Sequence, residues 1–452
     1  MAMAENPALP DQPSASLQTR AELEVTKLAK FRALVRHANT HSPYYARLIS
    51  ERRLDPDTCT PADFPVLTKA ILMANFDDIV TDRRITKKVV ADFLSRSSDP
   101  TDRLFGEVTV MHTSGTSGEV GYFLYTPSDQ ARMNAGSRRF RQVFQGRFPK
   151  KRRKRFRRVR IAFYGATGGH FAGVTAVSSL QRGLRRLFLK TAAFEVNTPL
   201  PGVTAGLNRF EPDVLIGYTT ALKMLAEEQR AGRLHLAPIA VAATGEMVTK
   251  ADLKLLSEAF GDTTALSVYA CTEHMLLGIS NPDGDTMTLT DENLSFEFHD
   301  DHSIVTNLAN FTMPLIRYRM SDILQPVSEP DARLIVVKGL VGRVEKLPTF
   351  VNGAGGSDFL SPHTINEIFI PGVTRFQMQI TGPASFRFPF CVDGSLDGQG
   401  RATAAAGIRE RLQQILKQKG LENVAFETQI VPEIPLNERT RKFQLIIDTR
   451  QS

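Results

Sequence analysis

The chain has 452 residues, 42% hydrophobic and 23% charged, with a net charge of +8. That length calls for two or three domains, and the balance is that of an ordinary globular protein. No uncharged apolar run approaches the roughly 18 residues that cross a bilayer, and Cys59, Cys271 and Cys391 stand too far apart for a disulfide framework or a zinc knuckle, which points to the cytoplasm.

The opening MAMAENPALPDQPSAS carries neither a basic leader nor an apolar stretch, and residues 1–19 read as a disordered tail. Over 20–52, Leu23, Leu28, Phe31, Leu34 and Val35 recur at three- and four-residue steps, a helical pattern that runs on into HSPYYARLIS. DFPVLTKAILMANFDDIV (63–80) predicts a Pro-broken lead and a second amphipathic helix. Residues 108–126 predict strand, Gly/Ser/Thr-rich loop, strand.

From 159 to 300 the expected pattern is strand then helix, repeated. VRIAFYGA (159–166) ends in glycine-rich ATGGHFAG, DVLIGYT (213–219) leads into ALKMLAEEQRAG, and IAVAATGE (239–246) leads into TKADLKLLSEAFG. ALSVYACTE (265–273) is a further buried strand. Short apolar strands alternating with amphipathic helices predict a largely parallel, layered α/β domain with its ligands beyond the carboxyl ends of the strands. Past about 340 come a glycine-rich loop (VNGAGGSDFLSPHT), the strands RFQMQITG and FRFPFCVDG, the helix ATAAAGIRERLQQILKQKG and the strands VAFETQIV and KFQLIID. The expected architecture is a large layered α/β N-terminal domain (20–341) and a small mobile α+β C-terminal domain (342–452), with the boundary at Gly342–Lys346.

The positive charge is concentrated. Residues 150–160, KKRRKRFRRVR, hold nine Lys or Arg, and removing those nine from +8 leaves −1. A solvated strand lead-in explains such a run; so does a polyphosphate patch, such as one for the 3′-phosphate of coenzyme A. Nucleic acid, a membrane surface or a partner protein are the further options.

Thr113-Ser114-Gly115-Thr116-Ser117-Gly118 is either a hairpin tip or a phosphate cradle, because its glycines and hydroxyls present N–H and O–H donors to an anion. No Gly-Lys-Ser/Thr follows, so it is not of the Walker type. Tyr269-Ala270-Cys271-Thr272-Glu273 ends a strand with a hydroxyl and a carboxylate suited to phosphate and Mg²⁺, or with a plain surface acid. Asp322, after Arg317-Tyr318-Arg319-Met320-Ser321, suits ribose hydroxyls or an ion pair. Gly342-Arg343 and Lys442 complete the series.

In this order the motifs resemble the adenylate-forming superfamily of acyl-CoA ligases, luciferases and nonribosomal-peptide adenylation domains. LAKFRALVRHANTHSPYYARLI, DFPVLTKAILMANF, FYGATGGHFAG and IGYTTALKMLAEE are similar to the phenylacetate–coenzyme A ligase branch and its capsular-polysaccharide and deazaflavin-adenylylating relatives. The resemblance spans roughly residues 25–450. It implies that Thr113 to Gly118 wrap the β- and γ-phosphates of ATP, that Thr272 touches the α-phosphate and that Glu273 holds Mg²⁺. Asp322 would bind the ribose with Arg343 close by, Gly245 and Glu246 would wall the adenine, and Tyr269 would be a further cofactor-binding residue. Lys442 would swing in with the small domain and stabilise charge during attack, a nucleotidyl transfer driven by positioning and charge neutralisation.

The acid would lie among Tyr164, Gly165, Thr167, Gly168, Gly169, His170, Phe171 and Tyr218, with His170 contacting its carboxylate or capping a helix. Three stretches depart from the family pattern: Glu119-Val120-Gly121 where a lysine is usual, Val344-Glu345-Lys346 where paired acids are usual, and the loop VNGAGGSDFLSPHT. They fall where the second half-reaction is organised and weigh against thiol transfer to coenzyme A; by resemblance coenzyme A is still the default acceptor, beside an amine, a phenol or a carrier-protein thiol. A catalytically inactive basic interaction protein is the reading from another class, and a dimer is one option for the assembly.

Overall fold

The computed structural model describes residues 19–113, 120–136, 157–167, 169–180, 186–300, 302–320, 322–338, 348–361, 364–365, 368, 370–435 and 445–450. Outside them lie the expected tail apart from Thr19, Ser114 to Gly118, most of the basic run, Gly168, Arg343 with the expected boundary, and Lys442.

A capping box opens the first helix, Arg20–His41: Thr19 accepts from the Glu22 N–H, and the Glu22 carboxylate accepts from Thr19 N at 2.7 Å. Leu23, Phe31, Leu34 and Val35 are buried as expected. The helix does not run on to residue 52. Ser42 turns extended and Pro43, which has no N–H to continue the ladder, starts a second helix, Pro43–Arg52. The expected helix within 63–80 is likewise two short ones, Lys69–Ala74 and Phe76–Ile79, parted at Asn75. These helices pack on an antiparallel pair, β1 (Thr109–His112) and β2 (Tyr122–Tyr125), in a core that includes Phe31, Leu72, Phe76, Val110 and Phe123.

Five parallel strands follow: β3 (Val159–Gly165), β4 (Leu189–Glu195), β5 (Val214–Tyr218), β6 (Ala240–Thr244) and β7 (Thr264–Cys271). Their spatial order is β7-β6-β5-β3-β4, so the chain winds outward from β3 to the edge at β4 and then back past β3 to β5. That reversal opens a crevice beyond the carboxyl ends of β3 and β5. Residue pairs such as Ala162 and Leu215 are fully buried, as strands covered on both faces must be.

The strand-then-helix pattern expected as far as 300 stops at Cys271. Strands β8 (Met275–Ser280), β9 (Thr286–Leu289), β10 (Leu294–Phe298), β11 (Ser303–Asn307), β12 (Tyr318–Met320) and β13 (Val336–Lys338) follow, with no helix among the described residues between 272 and 338. β8, β9 and β13 extend the large sheet antiparallel, while β10 to β12 form a sheet of their own.

The C-terminal part starts with a hairpin, β14 (Thr349–Val351) and β15 (Ser357–Phe359). A five-stranded sheet comes next, from β16 (Val373–Phe376), β17 (Met378–Gly382), β18 (Ser385–Val392), β19 (Ala425–Ile430) and β20 (Ile446–Asp448). The helix Gly398–Lys419 packs on it, capped by Asp397 at the start and by left-handed Gly420 at the end. The hairpin serves two cores: Phe350 belongs to that of the C-terminal sheet and Phe359 to that of the large parallel sheet.

A fully buried lysine fastens the two parts. The Lys419 ammonium donates to the carbonyls of Val196 at 2.9 Å and Thr198 at 3.0 Å, pairs with Asp358 at 3.1 Å and lies over the Phe359 ring. Asp358 also accepts from Leu200 N at 3.1 Å, where the helix Leu200–Phe210 begins. Removing one member of such a pair leaves a buried charge uncompensated, so Asp358→Asn should cost about 3 kcal/mol in urea unfolding. Replacing both, with Asp358→Leu and Lys419→Met, should recover part of that loss. Equal losses in the single and double variants would assign the effect to the backbone contacts instead of the ion pair.

Candidate active site

Side chains and turns from four strand ends meet at the crevice. Tyr164 and Gly165 end β3, Tyr218 ends β5, Gly245 follows β6 and Thr272-Glu273 follow β7. Gly245 has φ +76°, and a Cβ there would stand 2.9 Å from the Tyr218 ring, so only glycine lets that ring sit across the strand ends. The Glu246 carboxylate accepts from Thr220 N at 2.8 Å and Thr220 Oγ1 at 2.9 Å, which commits it to the start of the helix Thr219–Arg230.

Glu273 lies in the tight turn from β7 to antiparallel β8. The buried Tyr125 hydroxyl pins that turn by donating to the carbonyls of Thr272 at 2.8 Å and Glu273 at 2.7 Å. Burial pushes the Glu273 carboxyl above the ordinary carboxylate range; Asp322 adds to the rise, while backbone, the Cys271 thiol and Lys69 oppose it. Asp322 is also raised by burial, and its Oδ2 accepts from the Tyr269 hydroxyl at 2.8 Å. Two carboxyls whose ionisation is suppressed by burial, that of Glu273 by the charge of Asp322 as well, form a place where a cation is stabilising. Among the described residues no group of three His, Cys, Asp or Glu stands ready for a metal. Mg²⁺ needs none, since it takes one or two protein carboxylates and fills its shell with phosphate and water. The donor set fits it.

Thr113 shuts the neck of the glycine-rich loop: its N–H donates to Gly121 O at 2.9 Å and its hydroxyl accepts from Gly121 N at 3.0 Å. A Cβ at Gly121 would fall 3.0 Å from Cε of Lys69, so the lysine stem runs along that neck. Its charge acts on Glu273. Sequence reasoning missed Lys69. The signal was its place just after the N-cap Thr68, where the helix dipole disfavours a cation.

On the acid side, the loop after β3 docks against the end of β1. His112 N donates to His170 O at 3.3 Å, and the His112 and Phe171 rings lie 4.6 Å apart. Thr167 bonds Glu195 through both its N–H (2.7 Å) and its hydroxyl (2.6 Å). His170 is fully buried, 5.0 Å from the Phe93 ring, with Nε2 3.3 Å from Ser97 Oγ. It caps no helix: Phe171 is the N-cap of Ala172–Ser179. Burial first, then the charges of His112 and Arg103, pull its pKa down, so the ring is neutral near pH 7. Among the described residues, neither His170 Nδ1 nor the buried Tyr164 hydroxyl has a hydrogen-bond partner.

The structure thus gathers Thr113, Tyr164, Gly169, His170, Tyr218, Gly245, Tyr269, Thr272, Glu273 and Asp322 around one end of the sheet. Glu246 has its side chain turned to the helix beside it. Of the basic run, Arg157, Arg158 and Arg160 are described: Arg157 pairs with both oxygens of Asp213 at 3.0 Å, Arg158 donates to Arg186 O at 3.2 Å, and Arg160 donates to Phe210 O at 2.8 Å.

No family model matches the sequence, and no curated relative was found. Solved structures do resemble it. A 2-hydroxyisobutyryl-CoA ligase in complex with 2-HIB-AMP and CoA in the thioesterification state aligns at TM-score 0.58 and 18% identity, covering 100% of this chain and 96% of that one. The same ligase in the postadenylation state with R3-HIB-AMP aligns at 0.55 and 18%, covering 99% and 95%. Its open conformation with 2-HIB-AMP and CoA aligns at 0.55 and 16%, covering 99% and 97%. Over nearly its whole length, then, the chain is built on the two-domain fold of an adenylate-forming CoA ligase.

Proposed function

We propose that the protein is an adenylate-forming ligase of the phenylacetate–coenzyme A ligase type, which activates a carboxylic acid with MgATP as acyl-AMP and passes the acyl group to coenzyme A. The observation that carries this reading is the pairing of Glu273 with Asp322 beside the neck of the glycine-rich loop. A binding module has no use for two buried carboxyls with a lysine's charge acting on one of them.

In this reading Glu273 holds Mg²⁺, which when bound neutralises charge on the phosphates. Lys69 supplies the cation that the sequence Gly118-Glu119 lacks after the loop. Asp322, oriented by Tyr269, accepts from the ribose hydroxyls, and Gly245 borders the base with Tyr218 behind it. The substrate acid is already ionised at neutral pH, so no protein base is needed. Its polar contacts would be a neutral His170 and the Tyr164 hydroxyl, hydrogen-bonding groups and not a cation. Lys442 and Arg343 join from the C-terminal part, whose proposed limits are 342–452. Coenzyme A as acceptor rests on the CoA bound to the ligase of the same fold.

A panel of carboxylic acids, scored by ATP-dependent pyrophosphate release, tests the proposal. At least one acid should release pyrophosphate and form an acyl-AMP that hydroxylamine traps. ATP hydrolysis to ADP, or no turnover across aromatic, aliphatic and hydroxy acids, would sink it.

A further inference from the structure

From Gln130 to Phe194 the sequence holds 18 Lys or Arg and no Asp or Glu. The fold brings two parts of this stretch together at the free edge of the large sheet. Val159 N donates to Phe188 O at 2.8 Å, and the Arg158 guanidinium donates to Arg186 O at 3.2 Å, so the lead-ins to β3 and β4 lie side by side. Arg157 and Arg160 are tied to Asp213 and Glu211. Arg158, Arg186 and Lys190 are exposed there, and between them stand Leu187 and Phe188, 60% and 68% exposed. Neither side chain joins a core of the described residues, and a neighbouring pair of large apolar side chains held in water among cations marks an interaction face.

The patch is not part of the crevice. It stands at the amino ends of β3 and β4, and seven residues of strand put about 20 Å between it and Gly165. A coenzyme A phosphate bound among the catalytic groups is therefore out of reach. A second copy of the same face would bring like charges together. A nucleic acid would use the cations and could stack on Phe188, yet Leu187 offers a base no ring face. An anionic bilayer uses every element: the cations meet its negative surface, and the Leu-Phe pair enters the boundary between headgroups and acyl chains. We propose that Arg158, Arg186, Leu187, Phe188 and Lys190 form a face that docks the protein on anionic lipid, independently of the ligase chemistry.

The chain contains no tryptophan, so Phe188→Trp in the full-length protein gives a single reporter at the face. Its emission should shift to the blue with phosphatidylcholine vesicles containing about a quarter phosphatidylserine, and stay unshifted with pure phosphatidylcholine. In co-sedimentation, Arg158→Gln with Arg186→Gln should weaken binding about thirtyfold. Leu187→Ser with Phe188→Ser should weaken it about tenfold. Both pairs are exposed, so thermal unfolding should not move. Absence of vesicle binding overturns the proposal, as does binding to anionic vesicles without a tryptophan shift. Preference for a single-stranded polynucleotide over the vesicles at equal ionic strength overturns it as well.

Discussion

Glu273→Gln is expected to lower pyrophosphate release from acid and MgATP by about a thousandfold while leaving the unfolding midpoint where it is. The two halves of that result have different causes. Catalysis falls because an amide oxygen is a poor substitute for a charged ligand to Mg²⁺, and the phosphates lose their counter-charge. Stability holds because the fold already raises the Glu273 carboxyl above its ordinary range by burial, so a neutral side chain of the same shape relieves a cost. The turn itself is held through the carbonyls that Tyr125 grips, and these the substitution leaves alone. Near-normal turnover at saturating Mg²⁺ would remove Glu273 from the metal. A collapse of the fold would place its role in the β7–β8 turn instead.

Lys442→Ala should slow acyl-AMP formation by roughly a hundred- to thousandfold, the 3–4 kcal/mol typical of a buried donor acting on transition-state charge. ATP binding should survive, since the groups assigned to it other than Arg343 lie in the first 338 residues. An ammonium reaches only about 6 Å from its own backbone, so its action requires the C-terminal part to close over the crevice. Thiol transfer from pre-made acyl-AMP should therefore be spared if the two steps use two placements of that part. Equal loss in both steps would assign Lys442 to both or to the fold. No loss in either would take it out of the site.

What could be read in advance follows from how local each signal was. β3, β5, β6 and β7 were legible because a strand buried on both faces must be a short apolar run between turns, as in VRIAFYGA and IAVAATGE. The crevice followed, and with it the place of Glu273 at the end of β7, because loops at carboxyl ends of parallel strands converge; Asp322, after antiparallel β12, was singled out by the family resemblance. Residues 275–338 were not legible as strands: they pair antiparallel with one face partly wet, and MLLGIS or LSFEF alone does not say what it pairs with. The break at Ser42-Pro43 was local and should have been taken at face value. Lys69 and Lys419 were opaque for a different reason. Each looks like an ordinary helix-end lysine, and its meaning lies in partners such as Val196 and Glu273, more than 200 residues away.

The double allegiance of the β14–β15 hairpin decides how the molecule can be taken apart. A fragment ending at residue 341 would lack Phe359, leaving an unfilled hole in the core of the parallel sheet, and would strand the carbonyls of Val196 and Thr198 without the lysine that serves them. The complementary piece would carry that same phenylalanine into water beside an ammonium left with Asp358 but without its two carbonyl acceptors. Neither piece is a self-sufficient folding unit, although each has a sheet and a core of its own. Cutting after Phe359 would not help, because Phe350 would then be lost from the other side. The two halves of this protein are therefore to be expressed and titrated as one body.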